Sequence, residues 1–393
     1  MRNSYPLYLM TAIITPWLTA CQGDLSPLTS KIRLDGLQSG IISPTPDAGS
    51  QSPPPARPTA PAPVAASTPA SQCAPDVVQM LLTPASIDSS AVKLNCSVQL
   101  PANAAVMRQV VFEGNTASGA TLDCGGGTLG GRGEKGDRES LIVKSKKTGD
   151  NWGRPVGVTV KNCRITGGIR VYGLGRNGEA GAVKQSSMNA DHTKFAQLAA
   201  PTNVTFDRVQ IVGSGGVPFY ISPGVTNVTL SNSTIEGTST SAAIYLDAES
   251  AGAKVVNNVF NIETEGRELI AVDGSAYNEI SGNKFGNVTN GGIFAYRNCG
   301  EGGTIRHQTP QFNRIQGNTF TFSGRANAPA VWLNSRNGNR SYCFSDPGHP
   351  FGSSLSPMDF AQNNVVEGNV VVGAGGEAFR NSDPTNRISG NRE

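Results

Sequence analysis

The chain is poor in charge and in histidine. Asp, Glu, Lys and Arg make up 16% of its 393 residues, and the net charge is +3, against a usual charged share of about 25%. So weak a positive balance excludes nucleic-acid binding built on phosphate neutralisation. Only three His are present and no two Cys stand in Cys-x-x-Cys spacing, which excludes a structural zinc module. There is no Gly-x-x-x-x-Gly-Lys-Ser/Thr loop, and no run of 18 apolar residues follows the N-terminus. Phosphate-loop enzymes and multi-span membrane proteins therefore drop out. Gly, by contrast, is abundant at 47 residues, and 23 of the 31 Asn lie after residue 202. At roughly 150 residues per domain the length allows two or three domains, although solenoids run longer as one unit.

The N-terminus carries an address. Arg2 gives a positive start, and an apolar stretch from Tyr5 to Leu18 follows, broken by Pro6 and Pro16. That stretch is too short for a stable transmembrane helix and reads as an export signal over residues 1–20. Leu18-Thr19-Ala20-Cys21 resembles a bacterial lipobox. The resemblance implies cleavage before Cys21 and lipidation of its thiol; an ordinary signal peptide with an accidental Cys is the alternative. Gln22 stands where an inner-membrane lipoprotein often carries Asp, so by analogy the expected location is the outer membrane, with a lipid anchor. Residues 21–72 read as a tether. Nine Pro fall between Pro44 and Gln72, and such a sequence favours extended polyproline II and buries no core.

With Cys21 assigned to lipid, six Cys remain: Cys73, Cys96, Cys124, Cys163, Cys299 and Cys343. An even number in an exported chain suggests disulfides. The preferred pairs are Cys73–Cys96 and Cys299–Cys343, each within one region of the chain. Cys124 and Cys163 fall on adjacent rungs of the repeat described next, where they either bond or pack as small buried residues.

Internal repeats set the fold. Asn278-Glu-Ile-Ser-Gly-Asn283-Lys-Phe285 returns as Asn313-Arg-Ile-Gln-Gly-Asn318-Thr-Phe320 and as Asn386-Arg-Ile-Ser-Gly-Asn391. Looser copies start near Val158, Asn203, Asn227, Lys254 and Asn364, and the starts at 203, 227, 253 and 278 are spaced by 24, 26 and 25 residues. A period of about 25 residues with short alternating apolar stretches suits one coil of a β-helix. Alternation points Ile280 and its equivalents inward. Asn258, Asn283, Asn318, Asn369 and Asn391 share one corner, where stacked amides can bond the neighbouring coil. Ser233, Val209 and Cys163 take that corner in earlier coils. This pattern resembles the right-handed parallel β-helix of the pectate-lyase-like superfamily over residues 105–393. The expected fold is thus an all-β solenoid, preceded by a cap over 73–104. Within that cap, Pro75 to Leu82 has helical spacing and should close the N-terminal end.

Four stretches exceed a regular coil: 132–156, 173–202, 297–312 and 334–362. Long loops on a rigid solenoid usually build a binding face. Each coil also has a second strand after its Asn corner, in which Ile244, Ile270, Ile293 and Val331 align as inward residues. One outward column is then Tyr245, Ala271, Phe294 and Trp332, and the next is Asp247, Asp273, Tyr296 and Asn334. Glu249, Arg267, Glu268, Arg297, Arg306 and His307 fall close by. Aromatic rings suit the C–H faces of sugars. Two carboxylates one coil apart repel, which raises one pKa and supplies an acid. Ca²⁺ fits the same pair.

A lyase would instead use a base and a cation against a uronate, with Tyr245, Tyr296, Arg267, Arg297 or His307 as candidates. The expected catalytic set is Asp247, Asp273, Tyr296, Arg297 and His307. The expected substrate-binding set is Tyr245, Glu249, Arg267, Glu268, Phe294, Arg306, Trp332 and Asn334. Against this, Asp and Glu at solenoid turns often merely bond backbone amides. The Asn-Thr-Asp, Asp-Asp and Arg-Ile-Lys set of polygalacturonases is absent, and so is the Asp-Pro-His-Asp motif of alginate epimerases. Two readings stay open: a lyase or hydrolase on an acidic polysaccharide, and a non-catalytic glycan-binding or structural surface lipoprotein.

Overall fold

The computed structural model describes residues 60–61, 67–85, 89–130, 139–324, 327–337 and 346–393. The signal stretch, Cys21, most of the tether and Cys343 lie outside the described residues, and with them the expected lipid site and the expected Cys299–Cys343 bond.

From Val92 onward the chain winds in coils, each giving one short strand to each of three parallel sheets. In one representative coil, Glu279–Ser281 lies in the first sheet, Lys284–Val288 in the second and Ile293–Tyr296 in the third. The first and third sheets have ten strands and the second has nine, each paired to the strand one coil away. The fold is a right-handed parallel β-helix, the hand that parallel crossovers take. Its first strands, Val92–Lys93 and Val98–Gln99, already pair with later coils, so the solenoid begins ahead of residue 105. Pro75–Leu82 is the expected helix, α1, and sets Leu81 into the end of the core.

The sequence pattern suggests two strands per coil where the structure has three. The turn between the first and second strands is only Gly282-Asn283, so the alternation runs through it almost unbroken. Gly282, Gly317 and Gly368 hold this turn at φ between 61° and 66°, a left-handed conformation that glycine adopts at little cost. Asn257, Asn232 and Arg208 hold it in earlier coils. Past the turn, Phe260, Phe285 and Phe320 stack inside the core, with ring centroids 4.5 and 4.7 Å apart.

The Asn corner is a hydrogen-bonded ladder. The Asn283 backbone N–H donates to Asn318 Oδ1 at 3.0 Å, and Asn283 Nδ2 donates to the same oxygen and to Val255 O. Asn318 repeats this with Asn369, and Asn369 with Asn391. A second ladder, not foreseen, runs through Asn278, Asn313, Asn364 and Asn386 at the other end of the first strand. Asn283→Ala should cost about 1–3 kcal/mol, because buried N–H and C=O groups lose partners. Lys284→Ala, at the exposed next position, is the control. Equal melting temperatures for Asn283→Ala and Lys284→Ala would refute the ladder.

Cys73–Cys96 forms as expected, and Cys124–Cys163 is bonded too. The second bond joins consecutive coils at the ladder corner, its Cα atoms 4.9 Å apart. Closing loops of this size typically contributes about 2–4 kcal/mol.

The long insertions share one origin. In regular coils the passage from the third sheet to the first is short, as at 247–253 and 274–278. At this same corner stand a hairpin (Lys146–Thr148 with Asn151–Gly153), two helices (α2, Gly181–Ser187, and α3, His192–Ala199), the 297–313 loop and the described parts of the 334–364 segment, 334–337 and 346–364. Coils stack at about 4.8 Å, so insertions leaving one corner stand side by side. Among the described residues no helix is long and apolar enough to cross a membrane.

Candidate functional site

The third sheet carries an outward column in register: Arg170, Tyr220, Tyr245, Ala271, Phe294, Trp332 and Arg380. The alignment of Tyr245, Ala271, Phe294 and Trp332 holds. Arg170 and Tyr220 extend it, because the coils at 168–172 and 219–221 belong to the same sheet. The Tyr220 and Tyr245 rings stack at 5.0 Å, and the Arg170 guanidinium lies 4.0 Å over Tyr220. In the next column, Asp273 pairs with Tyr296, and Asp247 follows Leu246, the partner of Val272.

Where the insertions overhang this sheet, a cleft of about 200 Å³ opens. Tyr220, Tyr245 and Asp247 come from the sheet, Asn298 and Arg306 from the 297–312 loop, and Asn177 to Glu179 from the α2–α3 insertion. Asp247 is 1% exposed. It accepts the Tyr220 hydroxyl at 2.6 Å and the Ala248 N–H at 2.8 Å. Burial pushes its carboxyl up, Arg306 pulls it back and the Asp273 charge raises it again, leaving it at about 6. Arg306 Nη1 stands 3.7 Å from Asp247 Oδ1. Burial works against the Arg306 charge, but the Asp247 and Asp273 carboxylates outweigh it and hold the guanidinium firmly protonated. Its Nε and Nη1 are buried and have no hydrogen-bond partner among the described residues. Leaving such donors unpaired costs about 1–3 kcal/mol each. Gly178 lies against the guanidinium: a Cβ there would come within 2.0 Å of Nη1. Glycine at 178 is thus what lets the insertion close over the arginine.

The remaining residues expected at the site take other positions. Asp273 is buried under Asn298 and Tyr245: it accepts Asn298 N–H at 2.8 Å, Asn298 Nδ2 at 2.7 Å and the Tyr245 hydroxyl at 2.7 Å. It does not line the cleft. Both Asp side chains face N–H and O–H donors, and Arg306 already supplies a counter-charge, so the pair builds no Ca²⁺ site. Among the described residues no three His, Cys, Asp or Glu converge as metal ligands.

Arg297 is fully buried and donates to the carbonyls of Ser356 and Met358 at 2.8 and 2.6 Å. Burial lowers it to about 10. It braces the last insertion and does not line the cleft. His307 turns away, with Nε2 2.7 Å from Ser187 O and its ring against His192 and Phe351. Glu249 is buried and accepts the His307 and Gln308 N–H groups, the backbone-bonding role that acids play at turns. Asn334 also serves the backbone, exchanging hydrogen bonds with Ala361.

A second group gathers one coil further on. Arg267 grips Glu268 through two bonds of 3.0 and 2.9 Å, and both reach the Tyr296 hydroxyl. The Tyr296 ring fills the space over Ala242 and Ala271, with Arg336 3.7 Å above it. This group is packing between coil and insertion. Phe294 and Trp332 remain partly open, edge to face at 5.5 Å, with Arg380 over the indole.

Tyr220, Asn177, Gly178, Glu179 and Asn298 were not read from the sequence. Tyr220 had a signal, since Phe219-Tyr220-Ile221 has the same inward-outward alternation as Ile244-Tyr245-Leu246. The insertion residues had none, because no repeat positions them.

No family model matches the chain, and no curated protein matches it. Among solved structures it is similar to the A-module of the Azotobacter vinelandii mannuronan C-5 epimerase AlgE6, at 14% identity over 76% of this chain and 81% of that one, with a TM-score of 0.35. It is also similar to the periplasmic alginate epimerase AlgG, at 13% identity over 72% of this chain and 62% of that one, TM-score 0.38. A third is a mutant tailspike protein of E. coli bacteriophage HK620 in complex with a pentasaccharide, at 13% identity over 77% and 56%, TM-score 0.31. Likeness at this depth says nothing about chemistry.

Proposed function

We propose that this protein is a carbohydrate-active enzyme of the bacterial envelope, acting on an acidic polysaccharide by β-elimination in the Arg306–Asp247 cleft. One observation carries the reading. A buried guanidinium with unpartnered donors stands beside a carboxyl whose pKa is about 6, at the base of an open cleft. Arg306 would bind the uronate carboxylate and draw charge from the adjacent carbon. Asp247, ionised above pH 6, would take the proton from C5. The glycosidic C4–O bond then breaks, a C4=C5 double bond forms, and the leaving oxygen takes a proton. The Tyr220 hydroxyl, bonded to Asp247, is placed to donate it, and Asp247 then returns its proton to the Tyr220 oxygen. Stacked Tyr220 and Tyr245 offer a wall for the ring.

A hydrolase is the second reading, favoured by Glu179 and Glu301, which line the same cleft and offer a second carboxylate. The test is a panel of polygalacturonate, alginate and glycosaminoglycans, read for reducing ends and for the ultraviolet absorbance of unsaturated sugar ends. New ends with that absorbance establish a lyase, and new ends without it a hydrolase. Binding without new ends would make the protein a non-catalytic glycan binder and overturn the enzymatic reading. In cells making the full chain, the activity should sediment with outer membranes; recovery in the soluble periplasm would refute the anchor at Cys21.

A further inference from the structure

A larger cavity, of about 390 Å³, opens between the 146–153 hairpin and the helices α2 and α3. Its volume is in the range of small-ligand sites, about 300–1,000 Å³. The hairpin is the one antiparallel pair among the described residues, and it sets Lys147 opposite Trp152. A β-helix coil has no need of it. Trp152 packs in part on the apolar cluster of Leu174, Val183, Ala196 and Ala199 and also lines the cavity. From the other wall comes Phe195, 41% exposed, and next to it along α3 stands Leu198, 58% exposed. Gln185, Asn189 and Asp191 add polar groups to the lining.

We propose that this cavity is a second glycan subsite, which takes a neutral pyranose ring. Trp152 and Phe195 present rigid apolar surface to the C–H face of the sugar. The amides of Gln185 and Asn189 and the Asp191 carboxylate bond hydroxyls at its edge. The charge decides between sugar classes. Lys147, whose ammonium lies 5.9 Å from the Trp152 ring centroid, Asp150 and Asp191 sum to one negative charge, so this lining has no net positive charge to draw a uronate as Arg306 does. The α2–α3 insertion supplies Asn177 to Glu179 to the cleft and Gln185 to Asp191 to this cavity, so one element spans both. If the cleft takes a uronate, the two sites together select a polysaccharide that carries both acidic and neutral residues. The subsite itself stands without that condition.

The chain has three Trp, of which Trp17 precedes the expected cleavage point. In the mature protein carrying Trp332→Phe, the indole fluorescence therefore reports Trp152 alone. Cellohexaose, mannohexaose and chitohexaose are the neutral probes, and hexagalacturonate is the acidic one. At least one neutral hexasaccharide should shift the Trp152 emission. Gln185→Ala, on an exposed helix position, should weaken that binding about tenfold, the scale of one lost hydrogen bond. Hexagalacturonate should leave Trp152 emission unchanged, while its binding by calorimetry depends on Arg306. No shift with any neutral probe would overturn the subsite. So would a shift that Gln185→Ala leaves intact, or one caused by hexagalacturonate. Loss of hexagalacturonate binding elsewhere would bear only on the cleft.

Discussion

Asp247→Asn should lower turnover by at least about 10²-fold, the usual contribution of a positioned acid or base. The substitution keeps the shape of the side chain and one acceptor for the Ala248 N–H, and it removes the ionisable group beside Arg306. Its effect on stability separates a catalytic residue from a turn residue. The folded pKa, about 6, lies above the ordinary aspartate value of 3.8. The folded state therefore binds more protons than the unfolded state between those values, and stability falls as pH rises through that window. At neutral pH the ionised Asp247 is thus a burden on the fold. The Asn variant should melt at or above the wild-type temperature while losing activity. A drop of several degrees with activity intact would make Asp247 a turn-capping residue and remove it from the mechanism.

The wild-type pH profile carries the sign of the chemistry. If Asp247 is the base of an elimination, kcat/KM should rise with pH and level off above about 6. If it is the general acid of a hydrolysis, kcat/KM should fall through the same pH. Either limb should vanish in Asp247→Asn. A profile flat between pH 5 and 7 would exclude both roles.

The solenoid was legible because its stabilisation repeats. Ile280, Gly282 and Asn283 each do one job, inward packing, left-handed turn and amide ladder, and these jobs recur over successive coils, the ladder from Asn258 onward, so the pattern survives in a single sequence. The column of Tyr245, Phe294 and Trp332 follows from the same register. The arrangement above that column was not legible, because the insertions occur once and their docking depends on contacts distant in sequence. Arg306 and His307 are neighbours in the chain, yet one enters the cleft and the other reaches Ser187. Alternation along a strand would have sent Asp273 to the same surface as Asp247. Asn298 from the overhanging loop covers it instead, with three of its hydrogen bonds already made. Charge poverty did point to the face where the insertions meet the third sheet. In a chain this lean in ionisable groups, a cluster of buried acids and arginines has to be paired, and pairing brings insertion and sheet together.

Glu249→Ala should release that overhang without unwinding the solenoid. The buried carboxylate accepts the His307 N–H at 2.7 Å, the Gln308 N–H at 3.1 Å and the Thr193 hydroxyl, and the Glu249 carbonyl accepts Gln197 Nε2 at 2.9 Å. One residue therefore pins both α3 and the loop that carries Arg306. Removing the carboxylate strands three donors at about 1 kcal/mol or more apiece, so local opening should become roughly 10²-fold more frequent. The backbone φ of 63° at this position is the same strain for Glu and Ala, so it does not confound the comparison. Amide exchange at Ile305 to Gln308 and in His192–Ala199 should accelerate by that factor, while the Asn ladder amides keep their protection. Activity should fall with it, because Arg306 loses its seat. Acid should act in the same direction. Burial works against the Glu249 charge, but the neighbouring imidazoles together with the hydrogen bonds from the Thr193 hydroxyl and the His307 N–H outweigh it and hold its carboxyl below the usual range, so its contribution is lost as pH falls through that low value. Burial pushes His192 down to about 4, so protonating it below its ordinary 6.5 also disfavours the closed form. Wild-type protection of Ile305 to Gln308 in Glu249→Ala would show that the overhang is held by other contacts, with Arg297 and its carbonyl partners the next place to look.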